Sequence, residues 1–305
     1  MLSDSTELKE TFMTAQDTHT GPSVPTDDAK RAQVRTMWSG VADRWSAHAD
    51  QVDERGADLT QAMLAKARLQ RGDSVLELAC GPGGAGLAAA DVVGPTGIVV
   101  LSDAVEAMAA IAGQRAAVRG LANVRTETRD LEQIDEPDGS FDAVLCREGL
   151  MFAVDPVLAA REIHRVLRPG GRFVAAVWGP RADNPWLAVI FDAVTAVIGI
   201  TVPPPGMPGP FALADASRLA AVVEEGGLDD VELETFPVPL RMPTFEAWWA
   251  RTKAIAGPVA AMLANLDAAT SAALEDHVRA AVQQYATPSG LDLPGLALVV
   301  SARRG

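Results

Sequence analysis

Residues 75–86 read Val-Leu-Glu-Leu-Ala-Cys-Gly-Pro-Gly-Gly-Ala-Gly, a short apolar run that ends in four glycines. An apolar run of this length stopped by glycine reads as a buried strand, and the apolar segment 87–93 that follows reads as a helix ended by Gly94-Pro95. Glycine lets the backbone take left-handed angles and lets a ligand come close; the opening turn of a helix offers free N–H groups. Gly81, Gly83 and Gly86 also satisfy the G-x-G-x-x-G spacing of a dinucleotide site, so the turn alone does not choose its ligand.

The rest of the chain sets a frame around this turn. Further strands are predicted at 98–102, 123–128, 141–146 and 172–177. A helix over 106–119 is closed by Gly120, and Asp155 caps another that starts at Pro156. In that helix Ala159, Ile163, Val166 and Leu167 form a stripe facing a sheet, and Arg168-Pro169-Gly170-Gly171 ends it. Apolar strands alternating with helices predict a parallel sheet covered on both faces. Beyond it lie an apolar helix at 186–198, a Pro/Gly loop at 203–210, a helix at 214–226 and strands at 231–238 and 296–302. Helices at 245–256 and 268–286 stand between those last strands. The expected organisation is a disordered tail (1–30), a helical cap (31–60), core (61–183), a lid insertion (184–210), core again (211–240), a helical lid (241–286) and a last core strand (287–305).

Composition narrows the chemistry. With 26 Lys and Arg against 40 Asp and Glu the net charge is −14, which repels phosphate backbones, so no nucleic-acid partner is expected. Cys80 and Cys146 sit in apolar strand runs and read as reduced core thiols of a cytoplasmic protein. No apolar run is long enough for a membrane span and no secretory signal opens the chain.

Three carboxylates then bear on the ligand. Glu77 lies inside the strand just before the turn, where it would repel a pyrophosphate and attract an ammonium. Asp103 ends the second strand, where an acid can take ribose hydroxyls in either fold, so it supports a nucleoside without choosing between them. Asp130 follows the third, where it can accept from an adenine amine. With residues 141–144 (Phe-Asp-Ala-Val) and 162–171 (Glu-Ile-His-Arg-Val-Leu-Arg-Pro-Gly-Gly), these resemble the class I S-adenosylmethionine (SAM) methyltransferases, in particular the small-molecule branch of ubiquinone and menaquinone biosynthesis. Ala79 departs from that pattern, standing where a glycine is frequent.

The resemblance implies a Rossmann-like, seven-stranded, mostly parallel sheet of order 3-2-1-4-5-7-6, with strand seven antiparallel. It implies that SAM is held by Trp45, Glu77, Ala79, Gly81, Gly83, Asp103, Ala104, Asp130, Leu131 and Cys146. Arg147, Glu148 and Met151 would face the acceptor. His48, on the cap segment, and Glu148 are the candidate bases. Adjacent Trp248 and Trp249 cannot both face one core, so one is expected to line a substrate pocket. Asp142, His164, His277 and Gly170-Gly171 read as structural, and His19 falls in the tail. Strand four lacks the Asn/Asp-Pro-Pro-aromatic motif of many amino-group methyltransferases, and no metal-ligand spacing is present.

The function expected is metal-independent methyl transfer to an oxygen or carbon of a small apolar acceptor, aromatic or isoprenoid-like. A nicotinamide-dependent oxidoreductase and a SAM-fold protein without methyl transfer are the alternatives, and a homodimer is left open.

Overall fold

The computed structural model describes residues 25–305; most of the expected tail, His19 included, lies outside the described residues. Four helices come first: α1 (Asp27–Ser39), α2 (Ala42–Ala47), α3 (Ala49–Arg55) and α4 (Ala57–Ala67). The Thr26 hydroxyl caps α1 by accepting from the Ala29 N–H. The core follows as β1 (Ser74–Leu78), α5 (Gly84–Val93), β2 (Ile98–Asp103), α6 (Glu106–Val118), β3 (Val124–Thr128), β4 (Phe141–Arg147), α7 (Pro156–Val166) and β5 (Leu167–Trp178). Asp155 caps α7 by accepting from the N–H groups of Val157 and Leu158, with Pro156 at the first position, where a missing N–H costs nothing.

After α8 (Pro185–Ile198) and α9 (Ala216–Glu225) come β6 (Asp229–Pro237), β7 (Leu240–Met242), α10 (Phe245–Ile255), α11 (Pro258–Ala264), α12 (Ala268–Val282), β8 (Ala286–Thr287), β9 (Gly290–Leu293) and β10 (Leu296–Arg303). Seven strands form one sheet in the order β3-β2-β1-β4-β5-β10-β6, and β10 runs antiparallel to both neighbours. Counted within that sheet, this is the expected 3-2-1-4-5-7-6. The turn Arg168-Pro169-Gly170-Gly171 is looped out of the β4–β5 ladder, where Phe141 pairs with Leu167 and Ala143 with Arg172.

A three-stranded sheet, β7-β9-β8, was not expected; its strands are too short for any periodicity to announce them. It helps enclose a second apolar core, separate from the one on the large sheet. Phe191 of α8, Trp248 and Trp249 of α10, and Leu274 and Val278 of α12 meet there. No helix among the described residues is long and apolar enough to cross a membrane.

Between the large sheet and this second core lies a cavity of about 1140 Å³. It opens at the C-terminal ends of the parallel strands, beside β1 and β4, where the strand order reverses.

Candidate active site

The glycine turn forms one end of the cavity. Ala79, Gly81 and Gly83 all take positive φ (50°, 52° and 89°), which bends the chain from β1 into α5. Left-handed geometry at Ala79 carries a cost of about 1–2 kcal/mol that glycine would avoid. The Ala79 methyl in turn demands Gly149 opposite, where a Cβ would stand 2.4 Å away.

Asp103 fastens the turn to β2. Its Oδ2 accepts from the Gly81 N–H and its Oδ1 from the Val105 N–H, both at 2.9 Å. Burial pushes this carboxyl up, and the two N–H groups only partly offset it. Ala104 lines the wall beside it. Asp130 and Leu131 continue that wall; Asp130 accepts from the Glu132 N–H at 3.0 Å and faces Arg35 of α1 at 3.4 Å. Trp45 packs edge-on against Trp38 (5.4 Å), which packs against Phe152 (5.1 Å). The Trp45 indole N–H is buried without a partner.

The helical cap is latched to the turn. Asp53 of α3 accepts from Arg147 (3.0 Å) and Arg115 (2.7 Å), and Arg115 also donates to the Pro82 carbonyl at 2.8 Å. Arg147 donates to the Thr60 hydroxyl at 2.8 Å. Burial works against the Arg147 charge, but Glu148, Asp53 and Glu77 outweigh it and hold the guanidinium above its ordinary value.

The other end of the cavity is apolar with isolated charges. Trp178, Trp186, Leu187, Ile190, Val259 and Met262 form its walls. Glu148 stands at the junction with φ of 60°, its N–H donating to the Ala176 carbonyl at 2.7 Å. Burial raises its carboxyl, against the pull of Arg147 and Arg55. Arg55 lies 4.0 Å from the Trp186 ring centre and 5.2 Å from that of Trp178. Burial pulls its guanidinium down to about 9; Glu148 opposes that drop and Arg251 adds to it.

The cavity therefore gathers Trp45, Ala79, Gly81, Asp103 and Ala104 at the turn, with Asp130 and Leu131 beyond. Arg147, Glu148 and Met151 line it past β4. Six expected residues are placed elsewhere. Glu77 is only 1% exposed and turns under the loop, where Oε2 accepts from the Gly86 N–H at 2.7 Å. A Cβ at Gly86 would stand 2.6 Å from that oxygen, so Glu77 and Gly86 are fitted to each other. Burial lifts the Glu77 carboxyl to about 7, against Arg147 and the Gly86 N–H.

Gly83 packs on Ala112 and Leu101 instead of the cavity. Cys146 points to the opposite side of β4 from Arg147, since strand side chains alternate, and burial pushes its thiol up to about 12. Cys80 takes a place on the wall instead. His48, between α2 and α3, is turned back onto α2, with Nδ1 2.9 Å from the Arg44 carbonyl, and is not on the wall. Trp248 and Trp249 are both buried in the second core, because α10 is covered by α2, α11 and β7 together. Arg55, Arg251 and Trp186 were not among the expected site residues, and no local pattern marks any of them; Trp38 belongs to the cap expected to cover the site.

This architecture is the Rossmann-like methyltransferase fold, and residues 69–186 match the family described as "Methyltransferase domain". Among relatives, a ubiquinone/menaquinone biosynthesis C-methyltransferase of Ectopseudomonas mendocina is 37% identical over 122 residues, 40% of this chain and 47% of that protein. The chain spans about half the length of the curated relatives it matches. Among solved structures, the [4+2]-cyclase SpnF has a TM-score of 0.58 at 21% identity, covering 93% of this chain and 97% of that one. Phosphoethanolamine N-methyltransferase 2 of Haemonchus contortus, in complex with S-adenosyl-L-methionine, has a TM-score of 0.51 at 18% identity, covering 81% of this chain and 52% of that one. At these identities the structural likeness concerns the fold alone.

Proposed function

We propose that this chain is a methyltransferase that uses S-adenosylmethionine and alkylates an oxygen or carbon of a small apolar acceptor, aromatic or isoprenoid-like, by direct in-line displacement without a metal. The observation that carries the reading is a single cavity with two unlike ends, one lined by the glycine turn, Asp103 and Asp130, the other by apolar side chains around Glu148. The relatives named for quinone methylation support the same class of acceptor.

The residues of the first end fit the cofactor. A carboxylate has about four lone-pair sites; Asp103 uses one on each oxygen for the turn and keeps the others for ribose hydroxyls. Asp130 would accept from an amine on the adenine edge, and the unpartnered Trp45 N–H is a spare donor at the same end. When bound, S-adenosylmethionine supplies an electrophilic methyl on a cationic sulfur that leaves readily.

The chain's own work is alignment and exclusion of water. Holding two reactants in line removes on the order of 7–11 kcal/mol from such a barrier. The apolar walls favour a step in which charge is cancelled. His48 does not line the cavity, and of the two candidate bases that leaves Glu148. Its carboxylate has no hydrogen-bond or ion-pair partner among the described residues and is free to take the proton of an acceptor hydroxyl.

The test is transfer of labelled methyl from S-adenosylmethionine to a panel of phenols and quinols. Turnover by the wild type and a loss of about 10²–10⁴ in Glu148→Gln support both assignments. A base must be ionised, so the wild-type rate should fall as pH drops through a midpoint above the ordinary carboxylate value of 4.5. The mutant should lack that limb. No transfer to any acceptor would favour a SAM-fold protein with other chemistry, and binding of NADH in place of S-adenosylmethionine would favour the oxidoreductase.

A further inference from the structure

The acceptor end holds two cations, Arg55 and Arg251, that no carboxylate of the described residues meets at salt-bridge distance. Arg55, the last residue of α3, holds its guanidinium carbon 4.0 Å from the Trp186 ring centre and donates one N–H to the Val238 carbonyl at 3.0 Å. Its Nε is buried with no partner, and no carboxylate of the described residues reaches it within salt-bridge distance. Arg251, one helical turn beyond Trp248 on α10, lines the same cavity. No hydrogen bond or salt bridge joins it to another described residue, although Glu54 is near enough to favour its charge. The two come from separate segments, the cap and the second core, and both look onto walls built of Leu187, Ile190, Val259 and Met262.

A buried guanidinium without a counter-charge is costly, and two that repel one another are costlier. The arrangement persists in an apolar surround where any anion brought between them would be held strongly. Glu148 offsets one of the two charges on this wall, and Arg147 is already engaged by Asp53. Glu54 and the cavity-rim residue Asp267 are exposed to solvent, and Asp267 accepts from Thr270, so among the charges set into this wall the excess is one positive charge.

We propose that Arg55 and Arg251 form an anion subsite, and that the acceptor is an apolar molecule carrying one carboxylate-type negative charge. The apolar walls hold its body and the arginine pair its acid group, which fixes which end of the molecule meets Glu148 and the glycine turn. This deepens the methyl-transfer reading and rests on it for the occupant of the other end.

The test uses the full chain and calorimetry. S-adenosylhomocysteine is titrated first; absence of binding counts against the methyl-transfer reading and leaves the probe titrations interpretable on their own. Then 2-naphthoate, the neutral 2-naphthylmethanol and the more highly charged 2-naphthyl phosphate are titrated in turn. The subsite predicts that 2-naphthoate binds at least tenfold more tightly than the alcohol. Arg251→Met and Arg55→Met should each cut that preference to threefold or less, while Arg55→Lys keeps most of it. Affinity for S-adenosylhomocysteine should stay within threefold in the Arg251 variant, which separates loss of the subsite from loss of the fold. Equal binding of the carboxylate and the alcohol, or a preference that survives both Met substitutions, overturns the proposal. Tighter binding of the phosphate than of the carboxylate overturns the single-charge assignment.

Discussion

The two ends of the cavity are made of different material. At the glycine turn the carboxylates are held in place by their neighbours: Asp103 by Gly81 and Val105, Glu77 by Gly86, Asp53 by two arginines. At the acceptor end the walls are side chains drawn from α3, β5, α8, α10 and α11, and its charges, Arg55, Arg251 and Glu148, are left largely unanswered. The first end is prepared for a ligand whose form is fixed. The second holds unspent electrostatic potential, which selects a ligand by charge and shape.

Substitutions can break this contrast, starting with the largest effect. Trp248 is fully buried in the second core. Trp248→Ala should lower unfolding free energy by about 3–5 kcal/mol in denaturant titrations. A stability loss under 1 kcal/mol would place the side chain on an open pocket, as first expected of one of the two tryptophans.

Glu77→Gln probes the support beneath the turn. The buried carboxyl titrates at about 7 in the folded chain, against 4.5 for the free group. The unfolded chain releases its proton first, so wild-type stability should fall as pH rises from about 4.5 to 7 and then level off. At 1.36 kcal/mol per pH unit the fall is roughly 3 kcal/mol. Melts of wild type and Glu77→Gln across pH 4.5–8 should converge at the acid end and separate above it. Parallel curves would mean that Glu77 stays ionised throughout.

Asp103→Ala should weaken binding of S-adenosylhomocysteine by about 1–3 kcal/mol in calorimetry, through loss of charge-assisted hydrogen bonds. Unchanged affinity would remove Asp103 from the site. The smallest effect belongs to Ala79→Gly, expected to be neutral or to stabilise by up to about 1 kcal/mol. Relief of the left-handed alanine is offset by the added freedom of the unfolded chain.

What could be read in advance followed from how locally it is encoded. The turn, the parallel strands, the Asp155-Pro156 helix start and the carboxylates at strand ends each depend on a few adjacent residues. The acceptor end depends on residues that meet only after folding: Arg55 and Trp186 are far apart in the chain, yet stack at 4.0 Å. Direction at a strand end was a second obstacle. Cys146 and Arg147 are neighbours, but alternation sends only one to the cavity. The tryptophan pair misled because a helix enclosed on several sides buries residues that an ordinary surface helix would divide between core and solvent. His48 sat on the right segment, but its ring was claimed by the Arg44 carbonyl one turn back.

A crystal structure of the chain with S-adenosylhomocysteine tests the central claim most directly. The ribose hydroxyls should rest on Asp103, the adenine amine on Asp130, and the sulfur should point along the cavity toward Glu148 and Trp186. A nucleoside lodged among Leu187, Val259 and Met262, or one that leaves Asp103 untouched, would contradict it.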